Sequence, residues 1–199
     1  MNLAILIPLL PFVGFLINGL GFRRIPKSLV GLIGTGAVLA SFAIVVSLFP
    51  GFSGTAQHIP LYDWITVGDL NISFSFQIDQ LSLIMMLIIT GIGSLIHLYS
   101  IGYMHHDEGF GKFFAFLNLF VFFMLLLVMG SNYLIMFIGW EGVGLCSYLL
   151  IGFWNKNPSY GYAARKAFVM NRIGDLGFLI GIFLIIFQFG SVEFSDIFP

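Results

Sequence analysis

Cysteine occurs once in this chain, at Cys146, which excludes a disulfide framework, a Cys-ligated zinc site and an iron–sulfur cluster built by this chain alone. Charge is nearly as scarce. Lys, Arg, Asp and Glu together make up 9% of the residues, against roughly 25% in an ordinary soluble domain. Eight basic residues face nine acidic ones, for a formal net charge of −1, so there is no basic footprint for nucleic acid. No glycine-rich nucleotide fingerprint follows a strand. A haem held between helices wants two intramembrane ligands, and only His97 of the four histidines falls inside a long apolar run. What the chain has in abundance is apolar surface: 59% of its 199 residues are hydrophobic and 17% aromatic. A soluble domain of this length cannot hide that much from water, so the sequence reads as an integral membrane protein.

The few charges are clustered. None of the four charged residue types occurs from Ser28 to Tyr62, from Gln80 to His106, or from Phe113 to Trp140. A helix needs about 20 apolar residues to cross some 30 Å of hydrocarbon. On that ruler six spans are expected, Asn2–Phe22, Leu29–Phe49, Leu81–Tyr103, Phe113–Met129, Asn132–Trp154 and Ala167–Phe189, forming an all-α membrane protein with a single transmembrane domain over residues 1–199. Gly130-Ser131-Asn132 separates the fourth span from the fifth, with Ser131 or Asn132 as N-cap. No internal repeat and no low-complexity linker is present.

Lys and Arg in short loops set membrane orientation. Arg23, Arg24 and Lys27 lie in the first loop, Lys112 in the third, and Lys156, Arg165 and Lys166 in the fifth; the second and fourth loops and the tail after Phe189 have none. This asymmetry puts the N-terminus outside. The first span lacks the basic residues that precede a secretory signal, so it is expected to stay as an uncleaved helix.

The only long connection is the external loop 50–80. Leu70, Ile72, Phe74, Phe76 and Ile78 alternate with Asn71, Ser73, Ser75, Gln77 and Asp79, the period of a half-buried strand. Gly68-Asp69 separates this run from Trp64–Val67 and suits a two-residue hairpin turn. An isolated hairpin is marginal in water. Its apolar face is therefore expected on the outer mouth of the bundle or on a partner, the alternative being a loop packed on its own helices. Asp79 is placed to cap the third helix.

Three charged residues fall within spans: Glu141 in the fifth, and Arg172 and Asp175 in the sixth. Charge is costly there, by roughly 2.5–3.5 kcal/mol at a helix centre, and marks a functional candidate by default. Counting the helical rise from Asn132 puts Glu141 about 13–14 Å deep, and counting from Ala167 puts Asp175 about 12 Å from the opposite surface. Both acids therefore lie near the midplane. Arg172 and Asp175 are three apart and share a face, consistent either with a self-neutralising structural pair or with a functional one. The helical neighbours of Glu141 are Phe137, Ile138, Gly144, Leu145 and Tyr148, none cationic. It must be protonated, paired with another helix, or hydrated. Gly139, Gly142 and Gly144 around it suit close helix packing.

His97 opens the run His97-Leu98-Tyr99-Ser100-Ile101-Gly102-Tyr103, whose polar groups read either as a hydrogen-bonded route or as one satisfied histidine with bystanders. His105-His106-Asp107-Glu108 reads as a solvated loop, since adjacent histidines on a short loop lack chelating geometry. No metal ligand set is expected.

Four ordered motifs, IDQLS (Ile78–Ser82), HLYSIGYM (His97–Met104), WEGVGLCSYLLIGF (Trp140–Phe153) and AFVMNRIGD (Ala167–Asp175), resemble the largest antiporter-like subunit of respiratory complex I. This is the chain L type of bacteria and chain 5 type of mitochondria in proton-pumping NADH:quinone oxidoreductase, related to the large subunits of Mrp-type sodium/proton antiporters. The resemblance covers essentially all the residues. It implies a proton-translocating subunit of the enzyme, without a redox centre or cofactor of its own, since NADH and quinone are used by the whole complex. It also implies a multi-pass protein of the bacterial inner (plasma) membrane, or of the mitochondrial inner membrane if organellar, set among other membrane subunits and beside a neighbouring antiporter-like one. In the family the glutamate matching Glu141 pairs with a lysine on a later, broken helix; Arg172 and Asp175 match a sixth-helix pair, and His97 a third-helix histidine, all in a proton relay. Family members have many more helices, so this chain matches an N-terminal portion, with the lysine beyond Pro199, and is not expected to pump alone. The alternatives are an Mrp-type antiporter subunit and a non-transporting packing or assembly subunit in which Glu141 stays neutral.

Overall fold

The computed structural model of the chain describes residues 3–22, 24–68 and 70–198. The expected helix start at Asn2, Arg23 of the charge count, Asp69 of the expected turn, and Pro199 lie outside the described residues. Within them, six helices are long and apolar enough to cross a membrane: α1 (Leu3–Gly21), α2 (Lys27–Leu48), α3 (Gln80–Tyr103), α4 (Phe110–Met129), α5 (Tyr133–Ile151) and α6 (Pro158–Phe189). Strands β1 (Gln57–Val67) and β2 (Leu70–Ile78) form an antiparallel hairpin between α2 and α3, and a single-turn helix α7 (Phe194–Ile197) follows α6.

The helix ends follow from local chemistry. Asp79 accepts a hydrogen bond from the backbone N–H of Ser82 at 2.7 Å, and its own N–H donates to the Ser82 hydroxyl at 2.7 Å. This is the reciprocal N-terminal box that satisfies two orphan donors. Burial opposes ionisation of Asp79, but the hydrogen bonds from Ser82 and Gln77 together outweigh it and hold the carboxyl below its usual range. Of the two residues eligible to start α5, Asn132 is the cap, its Oδ1 accepting from Ile135 N–H at 2.9 Å. The sixth helix runs nine residues further back than expected, from Asn157 as N-cap with Pro158 at the first helical position, and stops at Gly190 in the left-handed region (φ 70°). At 1.5 Å per residue it is roughly 48 Å long, beyond the ~30 Å of hydrocarbon. The membrane ruler finds the apolar part and misses the turns carrying Arg165 and Lys166, which continue the same helix.

In the bundle α4 packs against both α1 and α5, α2 lies between α1 and α3, and α6 packs chiefly against α5. Ile7, Val38, Met86, Leu125 and Met129 form the main core, which Ile59, Phe76 and Ile78 of the hairpin complete. The hairpin thus lies on the mouth of its own bundle. The expected alternation places Ile72, Phe76 and Ile78 inward; Phe74 is only half-buried and Ser75 is buried instead. Two register shifts in β1, between Pro60 and Tyr62 and between Asp63 and Ile65, break strict period two.

Ser75 is buried because the hairpin is tied to the α4–α5 break by polar groups. Its hydroxyl bonds that of Ser131, and Asn132 Nδ2 donates to the Ser73 carbonyl and to Glu193 Oε1, both at 2.9 Å. Glu193 also accepts from the hydroxyls of Ser73 (3.1 Å) and Ser131 (3.2 Å). One carboxylate therefore joins the hairpin, the start of α5 and the segment after α6, and sets where α5 begins.

The glycines around Glu141 divide between two neighbours. A Cβ on Gly139 would overlap the Leu127 backbone of α4, and one on Gly142 the Phe123 ring; one on Gly144 would face Asn171 of α6 at 3.3 Å. Gly36 has nothing within 4 Å. In the full-length subunit Gly139→Ala should cost about 1–3 kcal/mol by overpacking and Gly36→Ala close to nothing, as read by thermal unfolding in detergent.

Candidate functional site

Glu141 sits in the middle turn of α5, and Arg172 and Asp175 sit in the middle of α6. The two helices bring the three together. Arg172 pairs directly with Glu141 across the helix boundary, while its guanidinium lies 3.7 Å from Asp175 Oδ2 along its own helix. The counter-charge that Glu141 lacks on α5 thus comes from α6, the helix that the sequence suggests is self-neutralised. Arg172 reaches both acids, and its closer partner is the one on the neighbouring helix.

Asp175 is the most enclosed member, with its side chain 7% exposed, against 22% for Glu141 and 45% for Arg172. A buried carboxylate must be hydrogen-bonded. Trp140 supplies the bond, its indole Nε1–H donating to Asp175 Oδ1 at 2.9 Å. Trp140 is held by an edge contact with Phe178 at 6.0 Å, and the Arg172 guanidinium lies over the Phe168 ring at 4.8 Å. The result is a continuous line, Trp140 to Asp175 to Arg172 to Glu141, that leaves α5, runs along α6 and returns to α5. Trp140 was not singled out from the sequence as a functional residue. Its signal was available, since a tryptophan beside a midplane acid carries a donor that must find a partner.

Arginine remains protonated at any accessible pH, so this group holds two ionisable acids and one fixed cation. With both acids ionised it carries a net negative charge and can take one proton without becoming cationic.

His97 lies elsewhere. It is buried in α3, with Nδ1 2.7 Å from the Gly93 carbonyl and its ring edge-on to Phe114 of α4. The route suggested by its sequence neighbours does not form. Tyr99 and Tyr103 face outward and stack on each other, and Ser100 bonds back to the Ile96 carbonyl. At 100° per residue positions 97, 99 and 103 cannot share one face. His105 and His106 lie in the exposed turn between α3 and α4, and the described residues hold no cluster of three metal-ligating side chains.

Two open clefts flank α5. One, of about 910 Å³ at the hairpin end, is bordered by His58, Gln77, Asp79, Tyr133 and Trp140. The other, of about 710 Å³ at the opposite end, is bordered by His106, Asp107, Lys112, Tyr148 and Trp154. Along α5, Glu141 follows Trp140, which borders the first cleft, and precedes Tyr148, which borders the second.

The line of contacts yields a coupling test. Trp140→Phe keeps the ring but strands the Asp175 carboxylate, and should lower stability by about 1–3 kcal/mol. In an Asp175→Ala background, which removes the acceptor, the same change should cost less than half as much. Equal costs in denaturation of the full-length subunit would dissolve the link.

Comparison with known proteins gives consistent matches. The family described as "NADH-Ubiquinone oxidoreductase (complex I), chain 5 N-terminus" matches residues 64–114, and that described as "NADH:quinone oxidoreductase/Mrp antiporter, TM" matches residues 130–199. The chain is 46% identical to NADH-quinone oxidoreductase subunit L of Rickettsia bellii over 199 residues, covering 99% of this chain and 31% of that one. It is 46% identical to subunit L of Campylobacter jejuni (99% and 32%) and 41% identical to that of Escherichia coli (98% and 32%). It therefore spans about a third of the length of these relatives. Among solved structures, an archaeal membrane-bound sulfane sulfur reductase complex contains a chain similar to it, with TM-score 0.81, 20% identity, and coverage of 98% of this chain and 30% of that one. At that identity the likeness is one of fold.

Proposed function

Because the chain belongs to the antiporter-like membrane-subunit family of NADH:quinone oxidoreductase, we propose that it serves as part of a proton-translocating membrane subunit of that enzyme. In this reading Glu141 takes up and releases the proton, while NADH oxidation and quinone reduction belong to other subunits. The observation that carries it is the single arginine shared by two midplane acids.

Asp175 is the enclosed acid, held by the Trp140 indole, and the proton is assigned to Glu141, the more open of the two. While Glu141 is charged, Arg172 rests on it. Once Glu141 is protonated, the attraction of the guanidinium shifts to Asp175, already 3.7 Å away. Proton occupancy is thereby converted into a displacement of positive charge, the quantity that a neighbouring charged group can sense. His97, apart from this line, is a subsidiary relay group.

We place the hairpin end outside, because the first, third and fifth loops at the other end carry the lysines and arginines. The membrane is the bacterial inner membrane or its organellar counterpart, and the partners are other membrane subunits, foremost a neighbouring antiporter-like one. The family description also joins Mrp antiporters, and the same cluster would serve exchange of sodium for protons.

The test uses the full-length subunit in its complex, in membrane vesicles energised by NADH. Glu141→Gln should cut proton pumping by about a hundredfold, the low end for a positioned proton-transfer group, while NADH:quinone electron transfer continues. Glu141→Asp should keep part of the pumping. Undiminished pumping with glutamine would reject the assignment, and dependence on added sodium would move it to the Mrp-type reading.

A further inference from the structure

The four-helix core of α1–α4 contains a layer of polar side chains that the proton line does not use. Asn18 of α1, Thr35 of α2, His97 of α3 and Asn118 of α4 are each at least 95% buried. They lie at one level of the core. A Cβ on Gly34, the residue before Thr35, would fall 2.7 Å from the Phe114 ring, 2.9 Å from Asn118 Nδ2 and 3.1 Å from Asn18 Nδ2. Phe114 is the ring that His97 meets edge-on. A Cβ on Gly14 would fall 2.8 Å from Asn118 Oδ1.

Half of each polar group in this layer is accounted for. Asn18 Nδ2 donates to the Val30 carbonyl at 3.2 Å, and Asn118 Nδ2 to the Phe114 carbonyl at 2.9 Å. His97 Nδ1 is 2.7 Å from the Gly93 carbonyl; a carbonyl only accepts, so Nδ1 carries the hydrogen and Nε2 of the neutral ring is an acceptor. The other half is not. Among the described residues Asn18 Oδ1, Asn118 Oδ1, His97 Nε2 and Thr35 Oγ1 have no hydrogen-bond partner. Other buried hydroxyls of the core are satisfied by backbone carbonyls: Ser41 by Ile7, Thr90 by Met86, Ser94 by Thr90. The exception is confined to this layer.

Three acceptors and one hydroxyl cannot satisfy one another, because the hydroxyl provides only one donor. Each unmet buried group carries a desolvation cost, and in hydrocarbon no solvent relieves it. A buried water, which brings two donors and typically makes about three hydrogen bonds to such groups, closes the deficit. We propose that the Asn18–Thr35–His97–Asn118 layer is a built hydration site holding one or two water molecules. The polar side chains fix the water, and Gly14 and Gly34 leave room for the two amides. The site is independent of Glu141 and stands or falls whether or not the subunit moves protons.

High-resolution cryo-electron microscopy of the whole complex tests it. A water peak is expected at about 2.7–3.2 Å from Thr35 Oγ1 and from at least one of the two amide oxygens or His97 Nε2. Thr35→Val should abolish the peak with the helices unmoved, and Thr35→Ser should restore it. A dry layer, with the amides turned to bond each other, would overturn the proposal. So would a peak that disappears when sodium is replaced by choline, since that occupant is a cation. If Thr35→Val prevents assembly, infrared spectra of the wild-type complex decide: an internal O–H band shifting in H₂¹⁸O supports the site, and its absence refutes it.

Discussion

The arrangement of α5 and α6 depends on one electrostatic constraint: a carboxylate at mid-membrane whose own helix offers no cation. Glu141 cannot be left charged and alone in a low-dielectric setting, where the penalty for an ion is several kcal/mol after relaxation. Arg172 meets it from the next helix. The arginine in turn lies beside Asp175, and Asp175 requires the Trp140 indole. Four side chains are thus mutually necessary, and any one removed leaves a neighbour unsatisfied. Their register rests on features well outside the midplane. Asn132 caps α5 and joins the Glu193 hub, which fixes the height of Glu141; Asn157 and Gly190 bound α6, which fixes the height of Arg172.

Polar chemistry in this chain is divided between two compartments. The charged line lies on the α5–α6 side, where α6 packs chiefly on α5 and the Arg172 side chain is half-exposed. The uncharged layer of amides, a hydroxyl and an imidazole lies inside α1–α4, where the helices enclose it completely. Burial explains the partition. A neutral polar group can be satisfied by one or two hydrogen bonds and tolerates full enclosure. An ion pair retains a large desolvation cost and is better placed where water can approach.

Much of this was legible in the sequence because hydrocarbon imposes a simple rule on backbone and charge. The long apolar runs mark all six helices, Asp79 announces the start of α3, and the alternation from Leu70 to Ile78 announces a strand. The errors have physical origins. The sixth helix was drawn at Ala167 because a hydropathy ruler measures the membrane, whereas the hydrogen-bond ladder continues through the interface to Pro158. The Arg172–Asp175 pair is visible in one dimension through its i,i+3 spacing, whereas the reach of Arg172 to Glu141 depends on how α5 and α6 pack. The neighbours of His97 were sought at Tyr99 and Tyr103, but burial joins residues across helices, so Asn18, Thr35 and Asn118 accompany it. Glu193 sits in an unremarkable tail and becomes central only because the chain folds back over the α4–α5 break.

The stoichiometry of the charged line bears on what it is for. A purely structural solution would match charges one to one, or replace the ions by well-packed apolar residues, which often costs nothing in stability. Here a single guanidinium faces two carboxylates, and the less enclosed of the two is the one it contacts. One guanidinium between two carboxylates leaves a negative charge that one proton would cancel, and the shared arginine links the two acids across adjacent helices. A group that is negative with both acids ionised and neutral with one proton bound has the charge balance that the role proposed for Glu141 requires.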